Sequence, residues 1–344
     1  MAKPKLKEDE KVGNYFVAPT PNVEMLTTGA ALLDCVLGGG YPVGRIVNIV
    51  GDKSSGKTLL AIEACANFAA QYPTGKIFYN EAEAAFDEGY AATLGMPLDR
   101  VQFSEDCLTV EKVFEDLTSR LKSLKKDERA LYILDSLDAL SDQAELDRDI
   151  DEGSFGAAKA KKLSELFRRL VQEVEKKSML IIIISQVRDN IGVMFGEKHT
   201  RSGGRALDFY SSQIIWLSQK GKIEKTIKGV KRVIGVDVKA LCKKNKVGMP
   251  FRDCEFPLRF AFGIDDVGAN IDWLRDVGRL DLIERAPGDS KAETDKIIRD
   301  IKAEFDELPQ HEYDATRAQL ADIVKGLWAE IEKDFLPTRT KYHA

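Results

Sequence analysis

The chain has 344 residues and a mass of 38.3 kDa, too long for one small domain and suited to one large α/β domain with additions or to two domains. Hydrophobic residues at 44% and charged residues at 31% exclude wholesale disorder, and no apolar run approaches the roughly 20 residues that a bilayer-spanning helix needs. The net charge of −5 is unevenly spread: residues 264–344 hold 19 acidic and 12 basic side chains, whereas 156–205 hold 11 basic against 5 acidic and 219–252 hold 11 against 2. Such basic stretches fit selective handling of a polyanion and fit solvated lysine faces equally well. The N-terminus lacks an apolar signal core, which predicts a cytoplasmic protein. Five separated cysteines without a CxxC pair predict reduced, packed thiols, and the three histidines suggest no metal cluster.

In chain order, residues 1–24 are polar, carry Pro4, Pro19 and Pro21, and read as an arm. Apolar, β-branched runs then recur at Ile46–Val50, Ile77–Tyr79, Leu131–Leu134, Met179–Ile184 and Gln213–Leu217. Helical patterns alternate with them, the clearest placing Leu163, Leu166, Phe167, Leu170, Val171 and Val174 at three- and four-residue steps. Buried strands alternating with amphipathic helices predict an α/β fold with a mostly parallel central sheet flanked by helices. The predicted core is 25–263. Residues 264–344 read as an acidic, mainly helical C-terminal domain with a break at Pro287–Gly288–Asp289–Ser290.

Gly51-Asp52-Lys53-Ser54-Ser55-Gly56-Lys57-Thr58 fits G-x-x-x-x-G-K-[ST] in full, after the strand Ile46–Val50 and before a helix opening at Leu59. The glycines let successive N–H groups and a helix N-terminus face phosphates. Lys57 is expected to reach the β- and γ-phosphates and the Thr58 hydroxyl to coordinate magnesium. The strand Leu131–Leu134 runs into Asp135, a carboxylate at the sheet edge where doubly wound folds bind ligands and a second holder for Mg2+. The ligand is therefore a nucleoside triphosphate. Hydrolysis needs a group that activates water; Glu81 and Glu83 both follow Ile77–Tyr79, and spacing does not choose between them.

Longer stretches resemble a family. Thr27-Thr28-Gly29 through Gly38-Gly39-Gly40, Glu81-Ala82-Glu83-Ala84-Ala85-Phe86-Asp87, Asp135-Ser136-Leu137-Asp138 and Gln186-Val187-Arg188-Asp189-Asn190-Ile191-Gly192 resemble segments of the RecA recombinases. The likeness is to bacterial members more than eukaryotic or archaeal ones and extends from about Leu26 to about Gly263. It implies a RecA-like P-loop ATPase core using ATP and Mg2+, with a short N-terminal arm in contact with a neighbouring subunit. It implies Glu83 as the water-activating base, Gln186 as the γ-phosphate sensor that opens the second DNA loop, and Asp87 and Tyr90 as adenine contacts. It further implies that Lys244 and Lys246 reach the ATP of the neighbouring subunit. Asp147–Gly156 corresponds to the first DNA loop, with Phe155 as a wedge between bases. DNA-binding positions are then Phe155, Gly156, Lys159, Lys161, Arg168 and Arg169, followed by Arg188, Ile191, Gly192, Val193, Met194, Phe195, Gly196, Lys198, Arg201, Gly203, Gly204 and Arg205. Ala160 and Asp208 depart from the family pattern, which usually has a basic residue at each, and the strongly acidic terminal tail of many relatives is missing. Such divergence over a preserved active site is that of a virus-encoded or otherwise distant member.

A shared site at a head-to-tail contact generates a ring or a helical filament. The expected function is an ATP-dependent filament on single-stranded DNA that pairs it with homologous double-stranded DNA and exchanges strands, with DNA-stimulated ATP hydrolysis. Two alternatives are a hexameric helicase on the same core and a non-catalytic, ATP-binding protein that coats single-stranded DNA.

Overall fold

A computed structural model describes residues 23–104, 107–143, 156–189, 199–201 and 204–339. A short ladder pairs β1 (Met25–Leu26) with β2 (Tyr41–Pro42) around α1 (Ala31–Leu37). The turn before α1 closes on Asp34, which accepts the Thr27 hydroxyl at 2.7 Å and the Thr28 amide at 2.7 Å. The main sheet follows: β3 (Ile46–Gly51), β4 (Lys76–Glu81), β5 (Val101–Phe103), β6 (Ala130–Asp135), β7 (Met179–Asp189), β9 (Gln213–Ile227), β10 (Val230–Asn245), β11 (Arg252–Arg259) and β12 (Gly263–Ile264). Their spatial order is β12-β11-β10-β9-β3-β7-β6-β4-β5, and β8 (His199–Arg201) pairs with β7.

Strands β9, β3, β7, β6, β4 and β5 are mutually parallel. They are joined through α2 (Lys57–Gln71), α3 (Glu88–Thr93), α4 (Val110–Ser123), α5 (Gly156–Lys176) and α6 (Gly204–Tyr210). Every residue of β3 and of β6 is buried, as a strand covered on both faces requires. Alternation divides their side chains between two cores. Val47, Ile49, Leu131, Ile133, Leu180 and Ile182 pack with Leu60 and Phe68 of α2. Ile46, Tyr132, Leu134, Ile181 and Ile183 pack with Leu117 of α4 and with Leu163, Phe167 and Leu170 of α5.

The other half of the sheet is antiparallel, which sequence reasoning missed. β9 does not stop at Leu217; it runs to Ile227, turns through Lys228 and Gly229 (φ 50° and 78°) and returns as β10. No helix intervenes, so the connection is a hairpin rather than a crossover. From Ser218 to Val233 the hairpin is largely exposed and lysine-rich, and the rest of β10 buries only alternate residues (Val236, Val238, Ala240 and Cys242), so no apolar run marks it. β7 also departs from expectation. It continues past Gln186 to Asp189, because Val187, Arg188 and Asp189 pair with Arg201, Thr200 and His199 of β8. The predicted loop therefore starts from a β-ladder.

After β12, α7 (Asp266–Asp276), α8 (Lys291–Asp306) and α9 (Gln310–Asp334) complete the chain. Ile271, Leu274, Ile298, Ile301, Leu320, Val324 and Leu327 join the same buried cluster as α1 and α2. Charge pairs tie α9 down: Glu332 receives Arg252 through two bonds of 2.7 and 2.8 Å, Asp266 receives Arg317 at 3.2 Å, and Lys325 stands 3.5 Å from Asp34. All five cysteines are free thiols. Among the described residues no helix is long and apolar enough to cross a membrane. The N-terminal arm to residue 22, and most of the first DNA loop including Phe155, lie outside the described residues.

Candidate nucleotide and DNA site

Strand register builds the site. Gly51, where β3 ends, stands opposite Gln186 of β7. Glu81, where β4 ends, stands opposite Asp135, where β6 ends. Four adjacent parallel strands thus deliver the phosphate loop, Gln186, Asp135 and the Glu81–Asp87 segment to one carboxyl edge, although they lie far apart in sequence.

Within the loop, Asp52, Lys53 and Ser54 are exposed, while Ser55 is buried and its hydroxyl donates to the Asp52 carbonyl at 2.8 Å. Gly56, at φ 88°, precedes α2, whose first residues are Lys57, Thr58 and Leu59. A side chain at Gly56 would stand 2.2 Å from Leu258 Cδ1, so β11 packs directly against this loop. Lys57 Nζ donates to the Asp52 carbonyl at 2.6 Å. Burial pulls the Lys57 ammonium below its ordinary range, and the carboxylates of Asp135, Glu83, Asp52 and Asp138 oppose that shift.

Asp135 is buried, accepts the Tyr79 hydroxyl at 3.0 Å and is hydrogen-bonded by the Thr58 side chain. Burial pushes its carboxyl up to about 6; the two hydroxyl contacts oppose the shift, and the charges of Glu83 and Glu81 add to it. An alcohol and a carboxylate in contact at a phosphate loop make a hard-oxygen donor set. Its small size suits magnesium, which takes one or two protein ligands beside phosphate and water.

The two glutamates have different surroundings. Glu81 accepts three amides of its own loop, from Glu83 at 3.0 Å, Ala84 at 3.0 Å and Ala85 at 3.1 Å. Glu83 instead turns to other strands, where its Oε1 accepts the Ser136 hydroxyl at 2.5 Å and the Gln186 side-chain amide at 3.0 Å. The Gln186 backbone N–H donates to Asp138 at 2.6 Å, which fixes the residue that heads the β7–β8 ladder. Sequence reasoning gave no role to Ser136, Asp138 or Tyr79. The first two stand within three residues of Asp135, and that proximity was the one available signal. Asp87 caps α3 by accepting the Tyr90 amide at 2.9 Å, and Tyr90 packs half-buried against the core.

Lys244 donates to the carbonyls of Asp208 and Phe209, and Lys246 donates to the Phe209 carbonyl at 3.0 Å. Both lysines thus sit at the C-terminal end of α6, where exposed carbonyls attract cations. Of the expected DNA residues, Arg188 and Arg201 lie on the β7–β8 ladder and Gly204 and Arg205 open α6. Gly156, Lys159 and Lys161 lie in the first turns of α5, with Lys161 exposed. Ile191, Gly192, Val193, Met194, Phe195, Gly196, Lys198 and Gly203 lie outside the described residues.

Arg168 and Arg169 do not join the ladder group. At 1.5 Å per residue they stand on the order of 18 Å along α5 from its start, toward the sheet's opposite edge. Arg169 lines a groove beside α4 with Val110 and Phe114, and it pairs with Glu165 one turn away. Both were expected among the DNA-binding positions, and both lie along α5 away from the carboxyl edge.

The carboxyl edge of a parallel sheet is where α/β folds bind ligands, and a loop of this chemistry limits the ligand to a phosphorylated one. Fold and site together define a P-loop nucleoside triphosphatase. Comparison with known proteins narrows the class. The profile of the RecA N-terminal domain matches residues 11–265. The chain is 38% identical over 257 residues to Protein RecA of Bacteroides thetaiotaomicron, covering 74% of each chain. It is 36% identical over 256 residues to Protein RecA of a Synechococcus strain, covering 74% of this chain and 65% of that one. To Protein RecA of Streptococcus agalactiae it is 34% identical over 297 residues, covering 83% and 76%. The chain belongs to the RecA family.

Proposed function

We propose that the chain is an ATP-dependent DNA recombinase that forms a head-to-tail helical filament on single-stranded DNA and exchanges strands with a homologous duplex. We place it in the bacterial cytoplasm, that of an infected host included. The observation that carries the reading is the Glu83–Gln186 hydrogen bond. One glutamate at the nucleotide edge holds the side chain that heads a basic ladder, so a change at the γ-phosphate has a direct route to DNA.

Lys57 leaves the Asp52 carbonyl and binds the β- and γ-phosphates. Thr58 and Asp135 would hold magnesium, which when bound neutralises phosphate charge. Glu83 accepts a proton from water as its oxygen attacks the γ-phosphorus and the bond to ADP breaks. Glu83 must turn from Ser136 and Gln186 to do so, which frees Gln186 to meet the γ-phosphate. Asp87 and Tyr90 border the adenine. Lys244 and Lys246 complete the site of the next subunit, and Arg188, Lys198, Arg201 and Arg205 neutralise DNA phosphates. Residues 1–24 serve as the subunit-contact arm, 25–263 as the ATPase and DNA-binding core and 264–344 as the C-terminal domain.

A strand-exchange assay with homologous and heterologous duplex, run beside an ATPase assay, tests it. Exchange confined to the homologous duplex is expected. ATP hydrolysis with hexameric rings would indicate a helicase, and DNA coating without exchange a binding protein.

A further inference from the structure

Glu63 lies six residues beyond Lys57 on α2 and takes no part in the phosphate chemistry. Its Oε1 accepts the Ile264 backbone N–H at 2.9 Å. Gly263, at φ 100°, leaves the room this carboxylate fills, for a Cβ there would stand 2.0 Å from Oε1. The same Cβ position is 3.5 Å from Leu94, the residue that closes α3. β11, which leads to this turn, packs Leu258 against the phosphate loop at Gly56. One carboxylate on the phosphate-loop helix thus grips a turn that meets the end of α3, while the strand leading into that turn packs against the phosphate loop.

The ionisable groups acting with Glu63 come from four other elements: Arg317 of α9, Asp266 of α7, Tyr90 of α3 and Tyr41 of β2. Arg317 favours the charged carboxylate and Asp266 opposes it. Arg317 also donates to Asp266 at 3.2 Å and to the Gly29 carbonyl at 2.5 Å, so it is present only while α9 is docked.

We propose that Glu63 is a positioning residue that couples the nucleotide site to the docked helix α9, gripping the Ile264 N–H at the place where Arg317 anchors α9 to Asp266 and to the Gly29 carbonyl. The proposal rests on reading Asp87 and Tyr90 as the adenine side. A charged acceptor holds an N–H more strongly than a neutral one, so docked α9, which brings Arg317, tightens the turn. By reciprocity, a bound nucleotide that favours the tight turn favours docking.

The pH dependence has a definite sign. Burial pushes the Glu63 carboxyl up to about 7, against the opposing Ile264 N–H and Arg317. As pH rises through that value the grip strengthens and nucleotide binds more tightly. Stability moves the opposite way: an acid whose folded pKa exceeds its unfolded value of 4.5 loses stability as pH rises from 4.5 to about 7.

The test measures affinity of the full chain for a fluorescent ADP from about pH 5.5 to about pH 8.5, for wild type, Glu63→Gln and Arg317→Met. The nucleotide phosphate and the histidines titrate in the same range, so the readout is the difference between wild type and Glu63→Gln, which share both. Wild type should tighten roughly 5-fold more than Glu63→Gln across the range. Arg317→Met should move the wild-type midpoint to higher pH and speed protease cleavage between α7 and α8. Glu63→Gln should melt at a higher temperature than wild type at alkaline pH, with the difference fading in acid. Superimposable affinity profiles for wild type and Glu63→Gln overturn the proposal, as does an unmoved midpoint in a folded Arg317→Met. Tyr90→Ala separates the underlying reading: unchanged affinity at every pH would refute the adenine assignment and leave the Glu63 comparison readable.

Discussion

At the scale of single residues, Glu81 and Glu83 show how partners assign a role that residue type does not. Both are glutamates on one short segment, yet one is spent on three amides of its own loop and the other meets Gln186. Glu83→Gln keeps the side-chain shape and loses the base. ATP binding should persist while hydrolysis falls about 10²- to 10⁴-fold, and complexes with DNA in ATP should outlive those of wild type in a filter-binding chase. Normal DNA-dependent turnover in that variant would remove Glu83 from the mechanism. Glu81→Ala acts differently, because it strands three loop amides. It should lower stability by about 1–2 kcal/mol in a denaturant titration and weaken ATP binding through the disordered loop. Lys57→Ala should weaken triphosphate binding itself, measured by equilibrium dialysis, and unchanged affinity would contradict the phosphate-loop reading. Neither glutamate's role was legible from spacing; the phosphate loop was, because its residues are contiguous and one local conformation serves them all.

At the scale of elements, the β7–β8 ladder matters most. Its register sets Arg188 and Arg201 one position apart on neighbouring strands, at the base of the segment that carries Lys198. Lys198→Ala with Arg201→Ala should weaken single-strand binding for every sequence and flatten the log–log salt slope by about 1.4, roughly 0.7 for each lost contact with a single strand. An unaltered slope would show that neither side chain follows the backbone. The paired change Arg168→Ala and Arg169→Ala serves as the contrast. These residues lie far along α5, so affinity and slope should stay near wild type. Charge composition grouped all four together, and only the helical rise and the α4 groove separate them. The length of β7 was equally hidden, since its last residues are polar and become strand only by pairing with β8.

At the scale of the whole molecule, Lys244 and Lys246 cap α6 within their own chain, while the role proposed for them lies across a subunit contact. Lys57→Ala and the double change Lys244→Ala/Lys246→Ala should each be nearly inactive. Mixed filaments would contain interfaces with Lys57 intact on one side and both later lysines intact on the other. DNA-dependent ATPase should therefore partly return on mixing, in proportion to the statistics of co-assembly. If electron microscopy shows mixed filaments and activity stays absent, each site is built within one chain.

The parallel half of the sheet followed from sequence because its strands are buried on both faces, which demands unbroken apolar runs that any reading detects. The phosphate loop followed because its residues are contiguous. The antiparallel half did not: the tip of its hairpin is an exposed lysine-rich ribbon, and the remainder buries only alternate residues, Val236, Val238, Ala240 and Cys242 on β10 and Cys254, Phe256 and Leu258 on β11, which leaves no unbroken apolar run. The Glu83–Gln186 pair joins residues 103 positions apart, and Glu63 meets Ile264 across 201. Contacts at that separation are set by strand order and helix docking, whose free energy is spread over the whole buried core, so only the tertiary structure decided them.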